Sequence, residues 1–283
     1  RPGAYVPRHN TADVHPLVLA RHTPGSGIGN LQAAGAATHD PGDAAIQTGE
    51  LYLPSDSAMA DVNLAMATAR ENGKLVLVIM GANWCHDSRA LAARIHEAPL
   101  NQVIEDNYVT VFVDVGFFEH GRDVVTSLGS PVYYATPTVL IVDAQGGQVI
   151  NADNRHQWAD AASIGMQASV DYFQQLADKP AAAPVPEASA NLQILLSEID
   201  AFEQAQADRL YAAYAVLGPM LRAYKGGDKG AFSEPYWSAV RDFRYRVPQD
   251  VQALRTEAIE RAAAGETDIR LNYPQYPAFP WEK

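Results

Sequence analysis

Lys74-Leu-Val-Leu-Val-Ile-Met80 runs into Gly81-Ala-Asn-Trp-Cys-His-Asp-Ser88, and Ser88-Arg-Ala-Leu-Ala-Ala-Arg-Ile-His-Glu97 follows at once. The first stretch is apolar on both faces, as a central strand covered by helices on both sides must be. The last is helical by composition and spacing. Between them lies a turn that places Cys85 at the positive end of a helix, where backbone N–H groups and the macrodipole favour thiolate over thiol. Thiolate is the form that attacks disulfides. Ser88 lies one turn further on, within reach of donating a hydrogen bond to the sulfur. Asp87 disfavours the thiolate and a protonated His86 favours it, so the net shift stays open.

Outward from this stretch, a helix is predicted from about Asp56-Ser57 to the stop signal Asn72-Gly73, with Val62, Ala65, Met66 and Ala69 on one face. After the Cys85 helix, a short segment over Asn101 to Asn107 leads to a second buried strand, Tyr108-Val-Thr-Val-Phe-Val-Asp-Val115. A short helix is expected over Arg122 to Leu128. Thr138–Val142 and Gln148–Ile150 flank the turn Asp143-Ala-Gln-Gly-Gly147, which reads as an antiparallel hairpin. One long helix, Trp158 to Leu176, is expected to close the unit. This order gives an α/β unit over residues 55–179, a mixed sheet flanked by helices.

Residues 1–54 are rich in Gly, Ala, Pro, Thr and His and read as an extended N-terminal arm. The run Gly25-Ser-Gly-Ile-Gly follows no strand and opens no helix, so it reads as part of that arm rather than a dinucleotide loop. A stiff Pro/Ala linker covers residues 180–190. Residues 191–283 form a C-terminal helical region with a Pro/Tyr-rich tail. There, Leu192, Leu195, Leu196, Ile199, Phe202 and Leu210 mark an amphipathic helix ending near Gly218-Pro219. Further helices are expected over Glu234–Arg246 and Pro248–Ala264, and the tail Asn272–Trp281 is an extended strap docked on its own domain. The stripe Tyr211, Tyr214, Tyr224, Tyr236 and Trp237 reads as core and interface.

The chain has 283 residues, 47% hydrophobic and 19% charged, with a formal net charge of -12. That balance argues against nucleic acid, since phosphate neutralisation needs clustered Lys and Arg. No apolar run approaches the roughly 20 residues of a membrane-spanning helix. Cys85 is the single cysteine, so a disulfide scaffold is excluded. A start at Arg1 fits removal of an export signal and equally a chain trimmed at its end.

Trp84-Cys85-His86-Asp87-Ser88 after an apolar strand, and Thr136-Pro137-Thr138 before the next antiparallel strand, together resemble the thioredoxin superfamily. The resemblance covers somewhat under half the chain. It implies a thioredoxin-like fold, a cis Pro137 beside Cys85, and backbone before that proline that pairs with a bound peptide like an added strand. More narrowly, Gly-Ala-Asn-Trp-Cys-His-Asp-Ser-Arg-Ala-Leu looks like a bacterial thioredoxin-family group that is usually exported, hence an expected periplasmic location. Two departures matter. The second, resolving cysteine of the family is here Ser88, and the buried acid six residues before the first cysteine is Ile79. A chain without the second thiol cannot release its own mixed disulfide in the dithiol manner.

The expected working residues are therefore Cys85 as nucleophile and Ser88 as its tuner, though Ser88 reads equally well as a helix N-terminal cap. Trp84, Thr136 and Pro137 form the expected substrate-binding lip, with His86 beside it. His96 and His120 read as surface histidines, Asp114 as a strand-end cap. Cys85, His86 and Asp87 are too close in sequence to converge on a metal, and no cofactor is expected. Two functions remain: monothiol thiol–disulfide exchange of isomerase or deglutathionylation type, acting on a disulfide-containing protein or glutathione; or a redox-inactive scaffold whose groove or helical region holds a partner protein.

Overall fold

The computed structural model describes residues 51–152, 154–178 and 189–282. Residues 1–50 of the predicted arm over 1–54, with its glycine run, and residues 180–188 of the predicted linker over 180–190 lie outside these residues.

Strand β1 (Leu75–Gly81) is the centre of a sheet ordered β2-β1-β3. It pairs in parallel with β2 (Tyr108–Asp114), Val78 opposite Val111, and antiparallel with β3 (Thr138–Val142), Val78 opposite Leu140. Because side chains alternate along a strand, Val76, Val78 and Met80 enter one apolar cluster while Leu77 and Ile79 enter another. The second cluster is closed by helices α2 (His86–Ile95) and α3 (Leu100–Asn107) and by α5 (Met166–Ala177). The first is covered by α1 (Ala58–Asn72) and α4 (Arg122–Ser127). Gly73, at φ 65°, ends α1 in the left-handed conformation that glycine adopts at no steric cost. The fold is the expected mixed sheet flanked by helices, with a large helical C-terminal region.

Three elements differ from the sequence reading, each for a physical reason. The hairpin's return arm is reduced to one bridge, Val142 opposite Val149. The outer edge of β3 is instead satisfied by the buried Asn151 side chain, whose Oδ1 accepts from Ile141 N at 2.8 Å and whose Nδ2 donates to Val139 O at 2.9 Å. A side-chain amide thus replaces a fourth strand. The long helix expected over Trp158–Leu176 is two pieces, a 3-10 segment Arg155–Ser163 and then α5, separated where Ile164 and Gly165 turn extended. This break lets the buried Trp158 stack on Phe173 with ring centroids 5.1 Å apart.

The third difference concerns the prolines. Helix α6 (Ala190–Lys225) runs through Gly218-Pro219, and α7 (Glu234–Ala263) runs through Pro248. Each proline removes one helical N–H, a local cost of about 3 kcal/mol that tertiary packing here outweighs. Gly218 serves approach rather than termination: a Cβ there would overlap the backbone carbonyl oxygen of Phe117. The two long helices are crosslinked by Glu203, which is 5% exposed and accepts from Arg255 Nη2 at 3.1 Å; Asp200 accepts from the same nitrogen at 2.6 Å. The tail docks across both helices, with Phe279 buried edge-on to Phe243 at 5.3 Å and Tyr276 Oη donating to Asp250 at 2.8 Å. No helix among the described residues is long and apolar enough to cross a membrane.

Leu195, Ile199, Leu210, Tyr214, Val240 and Val247 join the same cluster as Val76 and Val78, so the helical region completes the core of the sheet. Two predictions follow from this packing. Gly218→Ala gains about 1 kcal/mol of helix propensity but forces Cβ into a fixed backbone, so a net destabilisation of roughly 1–3 kcal/mol is expected by urea unfolding. Unchanged or raised stability would contradict the close approach.

The second concerns alkaline pH. Burial pushes Tyr214 up to about 12 from its ordinary 10.0, and burial raises Tyr52 and Tyr133 as well. These phenols bind protons in the fold at a pH where the unfolded chain has lost them. Their contribution is complete below pH 10 and is lost as pH rises through the folded values. Tyr214 alone accounts for about 2–3 kcal/mol. The urea midpoint should hold up to about pH 9.5 and fall steeply beyond pH 10; an equal midpoint at pH 8 and pH 11 would count against these burials.

Candidate functional site

Cys85 sits at the N-cap of α2, its backbone extended at φ -86°, ψ 126°. Its N–H donates to Ala82 O at 3.0 Å and its carbonyl accepts from Arg89 N at 3.1 Å, so the turn is fixed on both sides. The residue is 8% exposed. Its Sγ donates to Thr136 O at 3.1 Å. The Thr136–Pro137 peptide is cis. Sulfur and proline loop, separated by some fifty residues of chain, are therefore in direct contact.

Ser88 is fully buried, and its Oγ has no hydrogen-bond partner. It therefore does not cap the helix, and the hydrogen bond expected from it to the sulfur is not made; the thiol is turned to Thr136 instead. Ser88 presses with the Tyr52 ring on Gly81, where an added Cβ would lie 2.6 Å from Tyr52 and 2.7 Å from Ser88 Oγ. Tyr52 Oη donates to Ser88 O at 3.1 Å, and the Tyr52 phenol is raised first by burial and next by Cys85. Sequence reading missed Tyr52, because it lies in a segment without period. The reciprocal pair Asn83 Nδ2 to Tyr52 O, 2.8 Å, and Tyr52 N to Asn83 Oδ1, 3.3 Å, is what clamps it there.

Trp84 is fastened beside the thiol. Its Nε1 donates to Gly116 O at 2.7 Å, and its ring stacks on Phe117 and meets Phe118 edge-on at 5.2 Å. Phe118 is held at φ 75°, a conformation costly for a bulky side chain. Stacking on Tyr214 at 4.4 Å and the Arg244 guanidinium 5.5 Å above its ring hold it in place. Asp87 is turned away from the sulfur's partner: its Oδ1 accepts from Ala162 N at 3.0 Å. His86 is exposed, Pro137 is buried, and neither lines the cavity described next. Asp114 Oδ1 accepts from Gly116 N, as a strand-end cap does. His96 stacks on Phe112. No group of three or more His, Cys, Asp or Glu converges among the described residues.

The thiol opens into a cavity of about 400 Å³. One wall is Trp84, Cys85 and Asp87; the next is Tyr134, Ala135 and Thr136. Asn154, Gln157 and Ala159 form the floor. The roof is α7, which presents Trp237, Arg241, Arg244, Tyr245, Pro248 and Gln252 from one face over four turns. Trp237 thus serves as cavity wall as well as core, which the aromatic stripe alone did not reveal. The i, i+4, i+7 spacing of these residues was readable, but only once the helix is known to continue through Pro248. Arg244 fixes the roof to the loop, with Nε donating to Tyr134 O at 2.5 Å.

A cysteine at the head of a helix after a buried parallel strand, facing a proline loop that opens the next antiparallel strand, defines a thioredoxin-like domain. Residues 57–144 match the family described as thioredoxin-like, so α6 and α7 lie beyond the matched segment. Among solved structures, a disulphide isomerase from Xylella fastidiosa Temecula1 is similar, at 28% identity and a TM-score of 0.41, covering 45% of this chain and 99% of that one. No curated protein matches the chain.

Proposed function

We propose that the protein performs thiol–disulfide exchange through Cys85 alone. The observation that carries this is the placement of the Sγ: at a helix N-terminus, in contact with the proline loop, and on the wall of a cavity large enough for a ligand. The Cys85 thiolate attacks one sulfur of a disulfide, that S–S bond breaks, and the departing thiolate takes up a proton from water. Cys85 is left in a mixed disulfide. With serine at position 88 there is no internal second attack, so an outside thiol, or a second thiol on the substrate, restores Cys85. That cycle is isomerisation or deglutathionylation rather than net dithiol oxidation.

Ser88 is the positioning residue in this scheme. The Thr136 carbonyl suits a thiol, which donates, but repels a thiolate, which only accepts. Ser88 Oγ, buried one turn along α2 and without a partner, is the spare donor for the ionised sulfur.

Mixed-disulfide formation with a small disulfide, followed by mass spectrometry over pH 5–10, tests the reading. The wild type should add one adduct mass with a rate that rises with pH to a plateau, and Cys85→Ser should add none. Ser88→Ala should shift that rise to higher pH and slow the reaction at neutral pH by about threefold to tenfold. Its unfolding free energy should be unchanged or raised, since the deleted hydroxyl makes no hydrogen bond. No adduct at any pH would leave a redox-inactive scaffold as the better reading.

A further inference from the structure

The walls around Cys85 say which disulfides can reach it. In the open groove of an added-strand binding mode, carbonyls beside the proline are left for the incoming peptide. Here Tyr133 O accepts from Tyr214 Oη at 2.8 Å and Tyr134 O from Arg244 Nε. Ala135 O accepts from Thr138 Oγ1 at 2.7 Å, and Thr136 O from the thiol itself. Each of the four carbonyls already has a donor, two of them from the helical region. Over them lies α7, so a folded protein loop cannot lie flat along this edge without displacing the helix. What remains is the cavity of about 400 Å³, within the size range of small-molecule sites.

Its charge runs against that of the molecule. The chain carries a formal net charge of -12, yet α7 turns Arg241 and Arg244 into the cavity, and among the described residues lining it Asp87, which accepts from Ala162 N, is the one carboxylate. Arg244 uses Nε on Tyr134 O and keeps its two terminal nitrogens. Arg241 is 48% exposed; its Nη2 donates to Ser238 Oγ at 3.0 Å and its Nε is ion-paired with the solvent-facing Asp242 at 3.6 Å, so a ligand carboxylate competes with a partner that water already screens. Two guanidiniums above a buried thiol in an acidic protein focus small anions into that space and pair with carboxylates in fork geometry.

We propose that the Cys85 cavity selects low-molecular-weight disulfides bearing carboxylates, with Arg241 and Arg244 as the specificity-determining residues. The inference rests on the exchange reading above. The reaction is RS–SR plus the Cys85 thiolate giving the mixed disulfide of Cys85 with SR and RS⁻; the thiolate R′S⁻ of a different outside thiol then attacks the SR sulfur, forming R′S–SR and releasing the Cys85 thiolate, so that the net change is RS–SR plus R′S⁻ giving R′S–SR plus RS⁻. The arginines hold the carboxylates of R throughout and take no part in the electron transfer.

The test compares three probes: glutathione disulfide, which is anionic; 2-hydroxyethyl disulfide, which is neutral; and cystamine, which is cationic. Rates of adduct formation on the full chain are each divided by the rate with free N-acetylcysteine amide. The expected order is anionic, neutral, cationic, with the anionic probe ahead of the neutral one by about tenfold at low salt and much less at high salt. Arg241→Glu, at an exposed position, should abolish or reverse the order of the three probes. Equal normalised rates for all three probes would overturn the selectivity while leaving exchange intact. Reaction with none of them would overturn the exchange reading itself.

Discussion

Arg244 crosses the seam between the sheet and the long helices. Its Nε closes on Tyr134 O and its guanidinium plane lies over Phe118 and Tyr214. Tyr134 stands two residues before Thr136, whose carbonyl receives the thiol, and Phe118 backs Trp84 on the other side of the same thiol. One planar cation therefore satisfies a buried carbonyl, holds a residue in left-handed backbone, and fixes the distance between α7 and Cys85. Lysine cannot do all three, because a point charge lacks both the fork and the stacking face.

The fold follows from this arrangement of layers. A sheet of three described strands presents two apolar faces, and the face made by Val76, Val78 and Met80 is closed only partly by α1 and the short α4. Helices α6 and α7 complete it, bringing Tyr214 and Arg244 to the loop that carries Thr136. The helical region is thus neither a tether nor an appendage. It finishes the core and, in doing so, turns an edge that could lie open into the wall of a cavity.

Much of this was legible in the residues. The run Leu75–Met80, the turn at Trp84–Ser88 and Thr136-Pro137 mark strand, nucleophile and loop in the right order, because each is a local signal. What escaped was set by partners far away in sequence. Nothing near Asn151 says that its amide will stand in for a strand edge, and nothing near Pro248 says that packing will carry a helix through it. Tyr52 was invisible for the same reason, since Asn83, Gly81 and Ser88, far along the chain, give it a place. Cys85 could be read as reactive from its turn, but its exposure and its charged roof are properties of α7, more than 150 residues on.

Access to one sulfur therefore carries the whole account: Cys85 is reachable, but only by what fits beneath α7. The direct measurement is the modification rate of Cys85 by N-ethylmaleimide and by a maleimide joined directly to a bulky dye, each relative to a free cysteine peptide and again after unfolding in urea. Ready reaction is expected with the small reagent, with a relative rate lower by about tenfold or more for the bulky one, and equal relative rates once the chain is unfolded. Equal relative rates in the folded protein would show that α7 does not roof the thiol. No reaction with either reagent until unfolding would show that the sulfur is sealed in the core.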